Sequence, residues 1–278
     1  MKVAVAKYPI QAPADFAAFA ERQAAMLGVA AAQGARVAVL PEYLSLELAA
    51  TFDASTQADL HASLAAIQRY REDWLALYAR LAASLDMYVV AGTFLLAHGD
   101  GCYRNRCDVF TPHGAHLWQD KLQLTGFEKS LGVIEGGDAL KVFDLDGVRT
   151  GVAVCYDSEF PLPVRAQAEA GATRVRVGCL GRALENRLFV AQSVTAGEAP
   201  WSPALDINTG EAAVFAPMDR GFPADGVVAQ TAGDQAWAIA ELDLDALDRS
   251  RADAQVANDR DWMGQLKPAL ARAKLQAW

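Results

Sequence analysis

Short apolar runs alternate along this chain with longer stretches whose apolar residues recur every three or four positions. Val3 to Ala6 is the first strand-like run, and Pro13-Ala14-Asp15 then opens an Ala-rich segment predicting a helix to about Gln33. Gly34 is its stop signal. Arg36 to Leu40 predicts a second strand. Leu60, Leu64, Ile67, Trp74, Leu77, Tyr78 and Leu81 fall near helical spacing, which predicts a helical region over roughly Gln57 to Leu85. Met87 to Phe94 predicts a third strand, bounded by Asp86 and the loop around Gly99-Asp100-Gly101.

The pattern then shortens. Cys107 to Thr111 and His116 to Lys121 flank Pro112-His113-Gly114 and predict a hairpin. Lys141 to Leu145 and Val148 to Cys155 flank Asp146-Gly147, a stronger hairpin signal. After Pro161 a helix is expected to about Ala170, stopped by Gly171, and another over Arg176 to Ala191. Shorter strands are expected at Ala204 to Ile207, Ala212 to Phe215, Val227 to Ala229 and Trp237 to Leu242. The tail from Asp243 is polar, with a last amphipathic piece near Trp262 to Leu275. This order suits an α/β protein, a mixed sheet system with helices packed outside. The 278 residues could form one large domain or two small ones, but no linker divides them, so a single domain over 1–278 is expected.

Charge and composition narrow the function classes. A formal net charge of -9 argues against a nucleic-acid surface, which needs clustered Lys and Arg. No apolar run approaches the roughly 20 residues of a membrane-spanning helix, so no membrane partner is expected. The first residues are too short and too alternating a run for a secretory signal. The 4 cysteines show no dense spacing, which points to a reducing compartment and a cytoplasmic location.

Three chemically capable side chains follow apolar runs. Glu42 follows Val37-Ala38-Val39-Leu40-Pro41, Lys121 follows His116-Leu117-Trp118-Gln119-Asp120, and Cys155 follows Gly151-Val152-Ala153-Val154. A cysteine at the end of an apolar run is by itself more often a small buried hydrophobe. Here the polar run Tyr156-Asp157-Ser158-Glu159 must stop the strand at the thiol. The backbone N–H of Tyr156 would then point to where an oxyanion forms. A thiol with a pKa of about 8.5 needs a base to attack at neutral pH. His61, His98, His113 and His116 suit that role poorly, because none is expected at a strand end. A buried carboxylate serves if its pKa is raised, and Glu42 is the candidate. Lys121 is either a solvated strand end or an ammonium stabilising a developing oxyanion. Glu128 is either its partner or a surface charge beside Lys129.

Leu40-Pro41-Glu42, Asp120-Lys121-Leu122 with Glu128, and Val154-Cys155-Tyr156-Asp157 with Phe160-Pro161 resemble, in order and separation, the three signature motifs of the nitrilase superfamily, the carbon–nitrogen hydrolases. Tyr103-Arg104-Asn105 resembles the strand entry before the lysine motif, and Arg182-Ala183-Leu184-Glu185-Asn186-Arg187 the helix after the cysteine motif. The resemblance implies a four-layer α-β-β-α sandwich, usually paired through helices into a homodimer, and no metal or organic cofactor. It implies Glu42 as proton acceptor from Cys155, Lys121 as stabiliser of the tetrahedral intermediate, and Cys155 as the acylated nucleophile. Glu128 would support the lysine, and the Tyr156 amide would be a further oxyanion donor. The implied partner is a small-molecule amide. N-carbamoyl amines, nitriles and acyl transfer remain open alternatives. One departure stands out: a further apolar strand and loop would be expected between Thr173 and Arg174. Either the protein is truly shortened there or this sequence lacks a segment, and the second is favoured because losing a core strand would expose apolar faces.

Tyr43, Phe127, Tyr156, Phe160 and Trp201 are aromatics near these motifs that could shape a pocket, although such residues are more often plain packing. Two other readings compete. Cys102, Cys107, His113 and His116 supply zinc-compatible ligands, but at an unusual spacing that alternation would send to opposite faces. A catalytically silent interaction protein is the second, since a fold need not keep its chemistry.

Overall fold

The computed structural model of the protein describes residues 1–99, 101–159, 173–252 and 257–261. The chain begins β1 (Lys2–Pro9), α1 (Phe16–Ala32), β2 (Val37–Leu40) and a 3-10 stretch (Leu44–Thr51). Next come α2 (Ala54–Ala58), α3 (Leu60–Ile67), α4 (Arg71–Ser84), β3 (Tyr88–Ala97), β4 (Tyr103–Phe110) and β5 (His116–Asp120). Then follow α5 (Gly126–Leu131), β6 (Ile134–Glu135), β7 (Val142–Leu145), β8 (Val148–Gly151) and a 3-10 turn (Cys155–Glu159). The remainder holds α6 (Thr173–Asn186), β9 (Val190–Gln192), β10 (Val194–Glu198), β11 (Ile207–Asn208) and β12 (Ala213–Phe215). It closes with β13 (Val227–Gln230), β14 (Trp237–Glu241), α7 (Leu244–Ala252) and α8 (Asn258–Asp261). The helix expected after Pro161, Phe160 itself and the amphipathic piece near Trp262 to Leu275 lie outside the described residues.

Period-two alternation sorts the strand residues into layers. From β1, Ala4, Ala6 and Tyr8 join one core cluster with Phe19, Leu27, Leu64 and Trp74 of the helices. Val3 and Val5 face the other way, into a cluster with Val37, Val90, Phe143, Leu145 and Val214. Further out, Ala213 and Phe215 pack with Cys179 and Ala183 of α6. Helices, a large sheet, a second sheet layer and an outer helix therefore stack as α-β-β-α. The large sheet runs β11-β10-β1-β2-β3-β4-β5, with β14 also on β1 and β6 on β4. β1, β2 and β3 are parallel neighbours. β3, β4 and β5 pair antiparallel, which includes the hairpin expected around His113. A buried polar node fastens helices to sheet: Asp108 accepts from both Arg71 Nη atoms at 2.6 and 2.9 Å and from Trp74 Nε1 at 3.2 Å.

Several boundaries differ from the sequence expectation for local reasons. The region from Gln57 to Leu85 is several helices, because Asp53 and Asp59 each take an extended backbone and cap a new start through their carboxylates. The helix expected to reach Ala191 stops at Asn186, where Arg187 adopts a φ of 50°, and Val190–Gln192 becomes a strand paired with β12. The strand expected to reach Cys155 ends at Gly151, since Val142 at the start of β7 is its last ladder partner. The tail holds α7, whose Leu247 is buried. Thr173 and Arg174, where a further strand was expected, are consecutive within α6. Among the described residues the second layer is in two pieces, β7–β8 and β13–β12–β9.

One glycine bears on the site. Gly92 has a φ of 68°, and a Cβ there would collide with the Pro41 carbonyl oxygen, one residue before Glu42. Gly92→Ala is expected to destabilise the fold by about 2 kcal/mol or more through backbone strain and that collision. Gly28→Ala, in the open middle of α1 where an added Cβ meets nothing within 4 Å, should instead stabilise by about 0.5–1 kcal/mol. Urea unfolding midpoints of the two variants check the contrast.

Candidate active site

Each of the three singled-out side chains lies beyond the end of a strand, Glu42 after β2, Lys121 after β5 and Cys155 after β8. Glu42 leaves β2 through Pro41, and Tyr43 turns the backbone with a φ of 60° while its N–H donates to Thr93 Oγ1 at 2.7 Å. Lys121 follows β5, held to β4 by its N–H on the Asn105 carbonyl at 2.9 Å. Cys155 opens the 3-10 turn Cys155–Glu159 at a φ of 46°. A non-glycine residue in that region stores strain, which persists only where neighbours over-determine it. Asp157 supplies the determination. Its carboxylate accepts from the N–H groups of Val154 at 3.1 Å, Leu122 at 3.1 Å and Gln123 at 2.6 Å. One side chain thus ties the lysine loop to the thiol turn.

The tips converge. Lys121 Nζ lies 2.8 Å from Glu42 Oε1 and 2.8 Å from Glu128 Oε2, with 1% of its side chain exposed. Glu128 is fully buried at the start of α5, where it and Thr125 form a capping box. Its Oε1 accepts from Tyr43 Oη at 2.8 Å and Asn105 Nδ2 at 3.2 Å. Its Oε2 accepts from Thr125 N at 2.8 Å as well as from the lysine. Glu42 Oε1 accepts from Asn105 Nδ2 at 2.8 Å, and Glu42 is also hydrogen-bonded to the Cys155 thiol. The two carboxylates therefore differ: both oxygens of Glu128 are committed to neighbours, whereas Glu42 reaches the sulfur.

Electrostatics follow from this packing. Burial alone would lower the pKa of Lys121, but Glu42, Cys155 and Glu128 together raise it above the ordinary lysine value, so the ammonium stays charged. Burial raises the Cys155 thiol, the Glu42 charge raises it further, and Lys121 offsets this only in part, so the resting group is SH. Burial would raise Glu128, but pairing with Lys121 and its hydrogen bonds hold it below the usual carboxylate value. A neutral thiol beside a carboxylate and a fixed cation is an arrangement that can form a nucleophile on demand and receive negative charge at the same place.

The remaining candidates separate. Tyr43 lines a cavity of about 910 Å3 together with Glu42 and Cys155. Tyr156 is half-buried in the turn after the thiol. Phe127 is 43% exposed on α5, and Trp201 packs against the helix-side core; neither lines that cavity. Cys107 is buried and His116 is bonded to Asp108 at 2.9 Å, so they and Cys102 and His113 form no metal-binding group. Asn105 and Asp157 carry positions of weight that the motif reading had quoted without a role. Their signal was only the polar residue inside an apolar strand and the acid two places beyond the cysteine.

Comparison with known proteins agrees with this geometry. The carbon-nitrogen hydrolase family matches residues 2–251, and the chain belongs to that family. It is 27% identical over 277 residues to the probable hydrolase YhcX of Bacillus subtilis, covering 94% of this chain and 53% of that one. It is 32% identical over 195 residues to an (R)-stereoselective amidase of a Pseudomonas species, covering 64% of this chain and 65% of that protein. The chain thus spans about half the length of the first relative and just under two thirds of the second. Among solved structures, Nit3 of Saccharomyces cerevisiae, a nitrilase-superfamily member, superposes with a TM-score of 0.72 at 18% identity, over 94% of this chain and 96% of that one. A carbon-nitrogen hydrolase from Helicobacter pylori gives 0.72 at 17%, over 96% and 98%. The fold is that of the nitrilase superfamily. No described helix is long and apolar enough to cross a membrane.

The lowered pKa of Glu128 has a consequence for stability. Its unfolded carboxyl titrates near 4.3, and its folded value lies lower. The unfolded chain therefore binds more protons in the acid range, so this group's contribution is complete above about pH 5 and is lost as pH falls through the folded value. Urea midpoints measured from pH 6 to pH 3 should fall, and Glu128→Gln should show a shallower fall than the wild type.

Proposed function

We propose that the protein is an amide hydrolase that cleaves a non-peptide C–N bond through a thioester on Cys155. The carrying observation is the division between the carboxylates: Glu42 touches both the thiol and Lys121, while Glu128 is consumed in holding Lys121. Glu42 takes the thiol proton as sulfur adds to the amide carbon. The oxyanion that forms meets the Lys121 ammonium and the Tyr156 N–H. Glu42, now a carboxylic acid, protonates the leaving nitrogen, without which an amide anion is too basic to depart. Water then enters, again deprotonated by Glu42, and releases the acid. The membership in the carbon-nitrogen hydrolase family and the amidase among its relatives support this reading over a silent one.

Ammonia release from a panel of small amides, nitriles and N-carbamoyl amines tests it. Turnover of amides is expected, with nitriles and carbamoyl compounds slower. Cys155→Ala should reduce kcat by about 10^4-fold or more, and Glu42→Gln by about 10^2–10^4-fold. Full turnover by Cys155→Ala would remove the covalent mechanism.

A further inference from the structure

The carboxylate oxygens beside Lys121 are not equally engaged. Glu128 Oε2 accepts from Lys121 Nζ at 2.8 Å and from Thr125 N and Oγ1 at 2.8 and 3.0 Å. Glu128 Oε1 accepts from Tyr43 Oη at 2.8 Å and from Asn105 Nδ2 at 3.2 Å. Glu42 Oε1 accepts from Lys121 Nζ and from Asn105 Nδ2, each at 2.8 Å. A carboxylate oxygen has about two lone-pair sites, so each of these oxygens is filled. Glu42 Oε2 is the one that remains, and Glu42 is the carboxylate hydrogen-bonded to the Cys155 thiol.

One amide makes that division. Asn105 is fully buried in β4, where it pairs with Leu95 of β3 and its carbonyl receives the Lys121 N–H at 2.9 Å. Its side-chain nitrogen donates to both carboxylates, Glu42 on one side and Glu128 on the other. The amide cannot be reversed, because Oδ1 would then face two carboxylate oxygens. In the orientation it keeps, Oδ1 is buried and has no hydrogen-bond partner among the described residues. Buried acceptors are normally paired. Here the orphan follows from committing the whole NH2 group to the charges. As a neutral group, Asn105 adds these donors without changing the charge that Cys155 faces.

We propose that Asn105 is a positioning residue: by occupying Glu42 Oε1 together with Lys121, it makes Oε2 the oxygen that takes the thiol proton and returns it to the leaving nitrogen. This rests on the amide-hydrolase reading above. Held by Lys121 alone, the Glu42 carboxylate could turn about that single contact and exchange its oxygens. With two donors on Oε1, Oε2 is fixed toward the sulfur, and misplacing such a group by about 1 Å costs about 10^2-fold in rate. With an amide, Oε2 acts twice in acylation. It accepts the proton as the S–C bond forms and gives it to nitrogen as the C–N bond breaks, releasing ammonia. With a 4-nitrophenyl ester it acts once, because 4-nitrophenolate departs without a proton.

The test compares kcat/KM, which reports thioester formation, on the fastest amide of the panel above and on the 4-nitrophenyl ester of the same acid. Asn105→Leu should lower the amide value by at least about 100-fold and the ester value by no more than about 10-fold. Asn105→Ser, which leaves room for a water to solvate the carboxylates without fixing them, should show the same unequal loss. Near-ultraviolet circular dichroism accompanies both variants. Equal losses on amide and ester, or amide turnover within about tenfold of the wild type in a folded variant, overturn the positioning role and leave the hydrolase reading standing. Loss of native packing in both variants makes Asn105 a folding requirement and likewise overturns it. A wild-type protein that turns over no amide of the panel overturns the hydrolase reading and this proposal together.

Discussion

A buried ammonium between two carboxylates is the constraint around which this site is built. Taking Lys121 out of water costs several kcal/mol unless close opposite charges and hydrogen bonds replace the lost solvent. Glu42 and Glu128 supply the charges, each at 2.8 Å. Tyr43, Asn105 and Thr125 then saturate the carboxylates, so the charge cluster is closed on nearly every side. What is left open faces Cys155. Burial first and the Glu42 charge second hold the sulfur as SH at rest, so a proton acceptor must act as it attacks.

The backbone serves the same end. Tyr43 and Cys155 both occupy the left-handed region, at φ values of 60° and 46°. Each turn lifts a side chain off the end of a strand and aims it across the rim. Gly92 leaves room for the first turn, and Asp157 anchors the second to the lysine loop. Strain is thereby placed at the residues on which the proposed chemistry depends, and the strands and capped helices around them hold it. The cavity beside the thiol is lined by Val37, Val39 and Val90 as well as by Glu42 and Cys155.

Much of this was legible in the sequence. Period-two and helical patterns gave β1, β2, β3, β5 and β14 of the large sheet, though not β6 or β10, and α1 with its start at Asp15 and Gly34 stop, because those signals are local. Glu42, Lys121 and Cys155 were visible because each follows an apolar run that ends abruptly. The layer pairing was not, since it depends on contacts far apart in the chain. The end of β8 at Gly151 was hidden because ladder length is set by the partner strand, here β7, rather than by the apolar run itself. Asp53 and Asp59 split one expected helix through caps that a count of apolar residues ignores. Asn105 and Asp157 act only through partners on other elements, so spacing alone gave them no role.

The most direct test of the account is the turnover of Lys121→Met on a substrate amide, measured beside its near-ultraviolet circular dichroism. With the ammonium gone, the account predicts a kcat lower by at least about 10^2–10^3-fold, the scale of a lost oxyanion stabiliser, in a protein that keeps native tertiary packing. A folded Lys121→Met protein with a kcat within tenfold of the wild type would contradict it.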